Sequence, residues 1–233
     1  MTVAWSNPIL QAVFWSVLTV AFFVIGKRLH RLFGRWWSSP LVLTPLVLIA
    51  FALSLHESYH AYIHETHWLV ALLGPATVAF AIPIWEQRQL IRRRWPILMA
   101  GVVTGSLAAM TSAWVLAEWL GLNDSLTLSL MPRSISTPFA MTVSGEIGGV
   151  PDLTAVFVVI TGVAGAALGE VILKVLPLRS AMARGALFGM GAHGAGVAKA
   201  HGMGREEGAV AGLVMVLVGL VNVLAAPLLA HIL

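Results

Sequence analysis

Residues 130–154 form a polar stretch inside an otherwise apolar sequence, and their chemistry suits anion binding. Arg133 is the one cation of the stretch, and a guanidinium can hold a carboxylate through two parallel hydrogen bonds. Hydroxyl groups stand beside it at Ser134, Ser136 and Thr137. This set predicts a site for a small organic anion such as a monocarboxylate. The alternative is an arginine that anchors the chain at the membrane surface by reaching lipid headgroups. The residues alone leave both interpretations open.

A half-helix is expected to follow these hydroxyls and to strengthen the same site. Pro138 is typical of the first turn of a helix, and the backbone amides of Phe139 and Ala140 would then lack helical partners. The positive end of a helix favours a bound anion. We therefore assign Pro138, Phe139 and Ala140 to the predicted site. Thr77, in an earlier interrupted segment, is expected to face it.

Four further polar residues lie within or beside apolar segments and are candidates for a transport pathway. They are Glu146, His193, Lys199 and Asn222. Ionisable groups at membrane depth commonly have a function, and histidine titrates near neutral pH, so Glu146 and His193 could carry a coupling proton. The alternative for His193 is a packing role in a glycine-rich helix, with its ring satisfied by a carbonyl.

The segment HESYH at residues 56–60 matches the H-E-x-x-H zinc signature formally. On one helix, His56, His60 and His64 would share a face, and Glu57 could act as a general base. The alternative is an amphipathic segment at the membrane surface. We favour the second interpretation because the motif lies between two apolar segments, and we expect no metal site.

The composition predicts an all-α integral membrane protein. Hydrophobic residues make up 58% of the 233 residues and charged residues only 10%, whereas soluble domains have about 25% charged residues. A spanning helix needs about 20 apolar residues, which allows seven to eight spans, some of them discontinuous or re-entrant. The apolar runs do not alternate as the strands of an outer-membrane barrel do. We see no catalytic triad, phosphate loop or cofactor fingerprint, and expect neither an enzyme nor a cofactor.

The basic residues predict orientation rather than nucleic-acid binding. Lys27 and Arg28 follow the first apolar run, and a second basic group occupies residues 88–94. Arginine and lysine collect in cytoplasmic loops. This places the protein in the bacterial inner membrane, with an uncleaved first span and its N-terminus outside.

Two regions are expected in the chain. Residues 1–67 would form N-terminal spans for scaffolding or dimerisation, and residues 68–233 a transport core with broken helices at 73–85 and 130–150. Glycine and proline interrupt both broken segments, as in the discontinuous helices of transporters. Whether residues 124–150 re-enter or cross the membrane stays open, although the positive charges after residue 173 slightly favour re-entry.

Residues 76–83 weakly resemble residues 135–142, and residues 102–105 resemble 159–162. Such echoes favour an internal repeat, inverted if the central region re-enters and parallel if it crosses.

Four motifs together resemble the LrgB/CidB family of antiholin-like membrane proteins. They are LGPATVAFAIP (73–83), LMPRSISTPFAMTVSGEIGG (130–149), LTAVFVVITGVAGAALG (153–169) and ARGALFGMGAHGAGVAKA (183–200). The family commonly has lysine at the position of Arg133, a threonine at the position of Val197 and an acid at the position of His201. These departures bear on substrate or coupling ion.

The resemblance implies one of two functions. The first is a carrier of small 2-oxo or 2-hydroxy monocarboxylates such as pyruvate or glycolate, similar to elevator-type carriers and to plastid glycolate/glycerate translocators. The second is a holin-like or antiholin-like regulator of murein hydrolase export and cell lysis. It also implies a small membrane partner of the LrgA/CidA type. By analogy with carriers we expect a homodimer, and no nucleic-acid partner.

Overall fold

The computed structural model describes residues 7–34 and 38–232, and side chains for all of these except Pro8, Tyr59 and His60. Within these ranges the regular elements are helices and none is a strand, which confirms the all-α prediction. The elements in chain order are α1 (Pro8–Phe33), α2 (Pro40–Ser54), α3 (Tyr59–Ala71), α4 (Leu73–Ala79), α5 (Ala81–Glu86), α6 (Arg88–Trp119), α7 (Asp124–Leu130), a short 3-10 helix (Met131–Ser134), α8 (Thr137–Ile147), α9 (Pro151–Val175), α10 (Ala181–Met203) and α11 (Arg205–Ile232).

Five helical segments of the described chain are long and apolar enough to cross a membrane, and α2 is a shorter apolar helix. The five are Ile9–Phe33, Ala61–Glu86, Arg88–Trp119, Pro151–Val175 and Arg205–Ile232. Many of their large apolar side chains point away from the protein, as expected where lipid replaces water. The protein is therefore a multi-pass membrane protein.

Polar caps and prolines set the helix ends that the hydropathy pattern leaves vague. The side chain of Asn7 accepts a hydrogen bond from the amide of Ile9 at 3.0 Å, and α1 begins there. That helix continues beyond its apolar residues to Phe33, because the left-handed Gly34 (φ 61°) ends it.

The chain divides into two compact units, Met1–Ala76 and Thr77–Leu233. The described part of the first unit packs around Trp15, which is only 2% exposed. The rings of Phe51 and Tyr62 stand edge-on to Trp15 at centroid distances of 6.2 and 5.4 Å. The indole of Trp68 donates to the Ser16 hydroxyl at 2.7 Å. This unit is thus an aromatic helical cluster.

The second unit packs around α11, whose buried face runs along most of its length. Val102, Phe139, Val158 and Leu213 belong to one buried apolar cluster with it. The ring of Phe80 adds to this cluster, since its centroid lies 5.6 Å from that of Phe139. Helix α11 is therefore the central element against which the other helices of this unit are positioned.

The two predicted breaks differ in how strongly they interrupt the helix. Between α3 and α5 the helix is interrupted at Leu72 and Phe80, but both residues keep near-helical backbone angles. Pro83 has no amide to offer the carbonyl of Ala79, which explains a local disturbance there. The predicted break at 73–85 is thus a kinked helix, whereas the chain between Leu130 and Thr154 changes direction.

Candidate functional site

The segment from Asp124 to Ile147 folds as a helical hairpin, which we call hairpin 1. After Ser129 the chain continues through the 3-10 helix, turns in extended backbone at Ile135 and Ser136, and returns along α8. The amide of Val150 then donates to the Ser129 hydroxyl at 2.8 Å. The chain therefore comes back to where it started, as expected for a re-entrant segment.

Three buried hydroxyl residues close the base of hairpin 1. The Thr154 hydroxyl lies 3.0 Å from the Ser129 carbonyl oxygen and 2.7 Å from the Ser144 hydroxyl. All three residues are fully buried. Gly148 ends α8 with a left-handed backbone (φ 91°), which sends the chain into α9. We call Ser129, Ser144 and Thr154 the hydroxyl cluster.

Helix α10 is a second hairpin, hairpin 2 (residues 181–203), and not a straight span. His193 has φ 35° and ψ −119°, which no α-helix contains. Gly196 consequently lies directly against the carbonyl of Phe188, although residues eight apart on a straight helix are about 12 Å apart. The glycine-rich sequence permits this, because the two arms approach backbone to backbone.

Glycines also hold hairpin 2 against its neighbours. Gly185 and Gly189 lie against the backbone of α11 at Glu207 and Ala211. At the base of the hairpin, the Arg184 guanidinium pairs with the Glu207 carboxylate at 2.5 Å. Hairpin 2 is thus fixed to α11 by close backbone contact along its first arm and by an ion pair at its base.

The two hairpins enter from opposite ends of α9. The base of hairpin 1 meets α9 near its N-terminus, through Thr154. Hairpin 2 has Phe188 against Gly169, and its tip, His193, against Gly162 in the middle of α9. Each hairpin therefore reaches inward from its own end of this helix.

The hairpins meet at a small cavity between α6 and α11. Hairpin 1 contributes Ser134 and Ile135, and hairpin 2 contributes Met190. Asn222 of α11 also lines the cavity, and its amide donates to the Ser106 hydroxyl of α6 at 2.8 Å. The volume is only about 10 Å³, barely enough for one water molecule. In this conformation the meeting point is closed.

Polar groups without protein partners occur at both hairpin tips. Among the described residues, the Ser136 hydroxyl and the His193 Nε2 are buried and have no hydrogen-bond partner. A buried polar atom without a hydrogen bond is costly. The Ser136 hydroxyl and the His193 Nε2 are therefore candidates for hydrogen bonds to a ligand. The Thr44 and Thr127 hydroxyls share this property but lie away from the tips.

The structure places Arg133 on the 3-10 helix of hairpin 1, half-buried, with its guanidinium donating to the Ala109 carbonyl at 3.3 Å. Its neighbours Ser134, Thr137 and Pro138 are also half-buried at the turn. This single long hydrogen bond uses one of the five N–H donors of the guanidinium.

The prediction that the amides of Phe139 and Ala140 lack helical partners holds for Phe139 and is wrong for Ala140. Helix α8 begins at Thr137 rather than Pro138, so the amide of Ala140 already donates to the Ser136 carbonyl at 2.9 Å. The first-turn amides without a partner inside the helix are those of Thr137 and Phe139. The candidate amide donors therefore lie nearer to the extended residues at the tip than the sequence predicts.

The remaining candidates lie on four helices, α4, α8, α10 and α11. Asn222 lines the cavity and His193 lies at the tip of hairpin 2. Lys199 forms an ion pair with Glu170 of α9, and Glu146 is exposed on the last turn of α8, near the base of hairpin 1. Thr77 is half-buried on α4.

The zinc interpretation of HESYH loses its helical basis. His56 precedes α3 and has a left-handed backbone (φ 57°), whereas His64 lies inside the helix, so they do not share a helical face. The side chain of His60 lies outside those described. Among the described residues, no group of histidines and carboxylates could hold a metal ion.

Sequence reasoning missed the partners that organise the site. Ser106 stands in an apolar span and Met190 in the glycine-rich segment, and nothing in the sequence marks either residue as part of the site. Ser129, Ser144 and Thr154 lie within or beside the polar stretch, but nothing in their spacing shows that they meet. Their spacings of 15 and 10 residues match no secondary-structure period, so only the folded hairpin brings these residues together.

Comparison with known proteins gives a consistent result. The model of the LrgB-like family matches residues 19–232. The chain is 37% identical to the uncharacterized protein YwbG of Bacillus subtilis, over 91% of this chain and 94% of that protein. It is 33% identical to the antiholin-like protein LrgB of the same organism, over 94% and 95% of the two chains. It is 29% identical to the holin-like protein CidB of Staphylococcus aureus, over 96% and 97%. No solved structure matches it.

Proposed function

The chain belongs to the LrgB-like family, and from this premise we propose that it carries small organic monocarboxylates across the bacterial cytoplasmic membrane. The observation that supports this most strongly is the meeting of two helical hairpins, from opposite ends of α9, at a polar point in an apolar core. Non-helical backbone at membrane depth is tolerated where it is buried or lines a cavity, and carriers use such segments for their sites.

The proposed ligand is a carboxylate held at the tip of hairpin 1. Arg133 supplies the charge, and the first-turn amides of Thr137 and Phe139 supply donors at the positive end of α8. The unpaired Ser136 hydroxyl and Ser134 suit the 2-oxo or 2-hydroxy oxygen of a compound such as pyruvate or glycolate. His193 lies near this pathway in the proposal.

Transport requires the closed meeting point to open alternately to each side. The cavity of about 10 Å³ is too small for such an anion, so the hairpins or their neighbours have to move. The two opposed hairpins provide an element for each side. A homodimer with the first unit as its fixed part would support an elevator-type movement.

A second candidate function is supported by the names of two relatives. The similar proteins LrgB and CidB are described as antiholin-like and holin-like. In this alternative the chain regulates murein hydrolase export and lysis through contacts with a small membrane partner, and no anion is bound. The carrier function requires Arg133, whereas the regulator function does not.

The test is uptake of labelled pyruvate and glycolate into proteoliposomes that contain this chain alone. We expect the wild type to take up one of these anions and Arg133→Gln to lose about tenfold or more, because a hydrogen-bonded charge is removed from the ligand. Arg205→Gln is the matched control, since Arg205 is an exposed arginine at the start of α11.

Three outcomes separate the alternatives. Loss in Arg133→Gln with normal uptake in Arg205→Gln supports the carrier and its site. Equal uptake in all three proteins supports a carrier with a different site. If none takes up either anion, also after the small LrgA/CidA-type partner is added, the carrier proposal fails and the regulator takes its place.

A further inference from the structure

A second and much larger cavity lies apart from the meeting point of the hairpins. It is enclosed by α6, the first arm of hairpin 2 and α11, and has a volume of about 500 Å³, within the range of ligand-binding pockets. Its lining is almost entirely apolar and includes Leu98, Gly101, Val102, Met182, Ala186 and Leu187. The cavity is open on one side. Such a lining does not suit a small organic anion, but it suits a hydrocarbon chain.

Exposed arginines lie close in the chain to two residues that line this cavity. Arg92, Arg93 and Arg94 precede the lining residue Ile97 at the kink of α6, where Arg94 has non-helical angles. Arg179 immediately precedes Ser180, which lines the cavity and caps α10. The cavity therefore has an apolar lining, and exposed arginines lie within one helical turn or one residue of two of its lining residues.

We propose that this cavity binds an anionic phospholipid, with one acyl chain inside and the headgroup against Arg93, Arg94 and Arg179. An apolar cavity alone would accept any hydrocarbon chain, and exposed arginines alone would only orient the protein. Their combination selects a lipid that has both an acyl chain and a negative headgroup, and basic pockets between membrane helices bind such headgroups.

The proposed lipid would touch the moving part of the protein. Met190 of hairpin 2 lines both this cavity and the small cavity between the hairpin tips. The acyl chain would consequently pack against the arm whose tip is His193. The site does not depend on which substrate, if any, the protein carries, so lipid binding and transport can fail independently.

The test is native mass spectrometry of the delipidated full chain in detergent, with phosphatidylglycerol or phosphatidylcholine added. The cavity-filling variant is Gly101→Leu, because a Cβ at Gly101 meets no described atom within 4 Å and the added side chain enters the cavity. Gly202→Leu is the matched control, since Gly202 also has open space on hairpin 2 but does not line the cavity.

We expect the wild type and Gly202→Leu to retain phosphatidylglycerol over phosphatidylcholine, and Gly101→Leu to lose at least half of the bound fraction. Ala186→Leu, which fills the cavity from hairpin 2, should act in the same way if thermal unfolding shows that Gly101→Leu is unstable. Equal binding by both cavity-filling variants and the wild type would overturn the proposed acyl-chain site.

The headgroup is tested with the double variant Arg93→Gln/Arg94→Gln. We expect it to bind the two lipids about equally, because the acyl-chain cavity is intact and two of these arginines are neutralised. An undiminished preference for phosphatidylglycerol in this variant, or no preference in the wild type, would contradict the proposed headgroup contact.

Discussion

The two hairpins differ in the contacts that hold their arms together. Hairpin 1 is closed by side chains, through the hydroxyl cluster that joins α7, α8 and α9. Hairpin 2 is closed by backbone, since Gly196 lies against the carbonyl of Phe188 and Gly189 against that of Ala211. The first arrangement depends on hydrogen bonds that a side chain can lose, and the second on the absence of any side chain. The following predictions test this difference, from the largest effect to the smallest.

The largest effect is expected at Gly196. A methyl group in Gly196→Ala would overlap the Phe188 carbonyl, which is backbone and cannot turn away. The arms would have to separate, at a cost of about 3 kcal/mol in the free energy of unfolding. Thermal or denaturant unfolding in detergent micelles, followed by tryptophan fluorescence, measures this loss.

Gly194→Ala is the control for that experiment, because a Cβ there meets no described atom within 4 Å. We expect its stability to change by less than about 0.5 kcal/mol. Equal stability of the two alanine variants would mean that the arms of hairpin 2 are not packed backbone to backbone.

An intermediate effect is expected at the base of hairpin 1. Thr154→Val keeps the shape of the side chain but removes the hydroxyl, which leaves the buried Ser144 hydroxyl without this partner. The expected cost is about 1–3 kcal/mol in the same unfolding measurement. Thr142→Val is the control, since the Thr142 hydroxyl is exposed and bonds only to its own helix. A cost at Thr142 as large as that at Thr154 would refute the role of the cluster.

The smallest effect is expected for a hydrogen bond whose two residues belong to neither hairpin. The bond from Asn222 to Ser106 joins two long helices, so it measures an ordinary side-chain bond inside the membrane. A double-mutant cycle of Asn222→Leu and Ser106→Ala should give a coupling of about 0.6 kcal/mol. A coupling well above the cost of Thr154→Val would show that the helices, and not the hairpins, hold the site together.

Hydropathy and capping residues predict the long helices well, because a membrane span depends on residues that are neighbours in the sequence. The last helix begins at Arg205, one turn before its apolar run, and hydropathy alone does not place the charged residues of that turn in the helix. The break at residues 130–150 also follows from local signals, namely prolines, glycines and hydroxyls. The structure agrees with re-entry there.

The glycines of hairpin 2 do not predict its turn. Glycine at 185, 189 and 196 is equally compatible with a packing face on a straight helix, and nothing local marks His193 as the turn. The turn exists because α9 and α11 cover the two arms, which is a tertiary property. The same reason explains why Lys199 meets Glu170, a contact that sequence spacing does not suggest.

The turn at His193 also has a consequence for how this protein is made. Helix α10 contains 23 residues in total, so each arm is far shorter than the roughly 20 apolar residues that a membrane insertion machinery recognises. Neither arm is long enough to insert into the bilayer by itself. Hairpin 2 is therefore expected to remain outside the bilayer during synthesis and to enter only after α11 has been released beside α9, which makes its assembly one of the last steps of biogenesis.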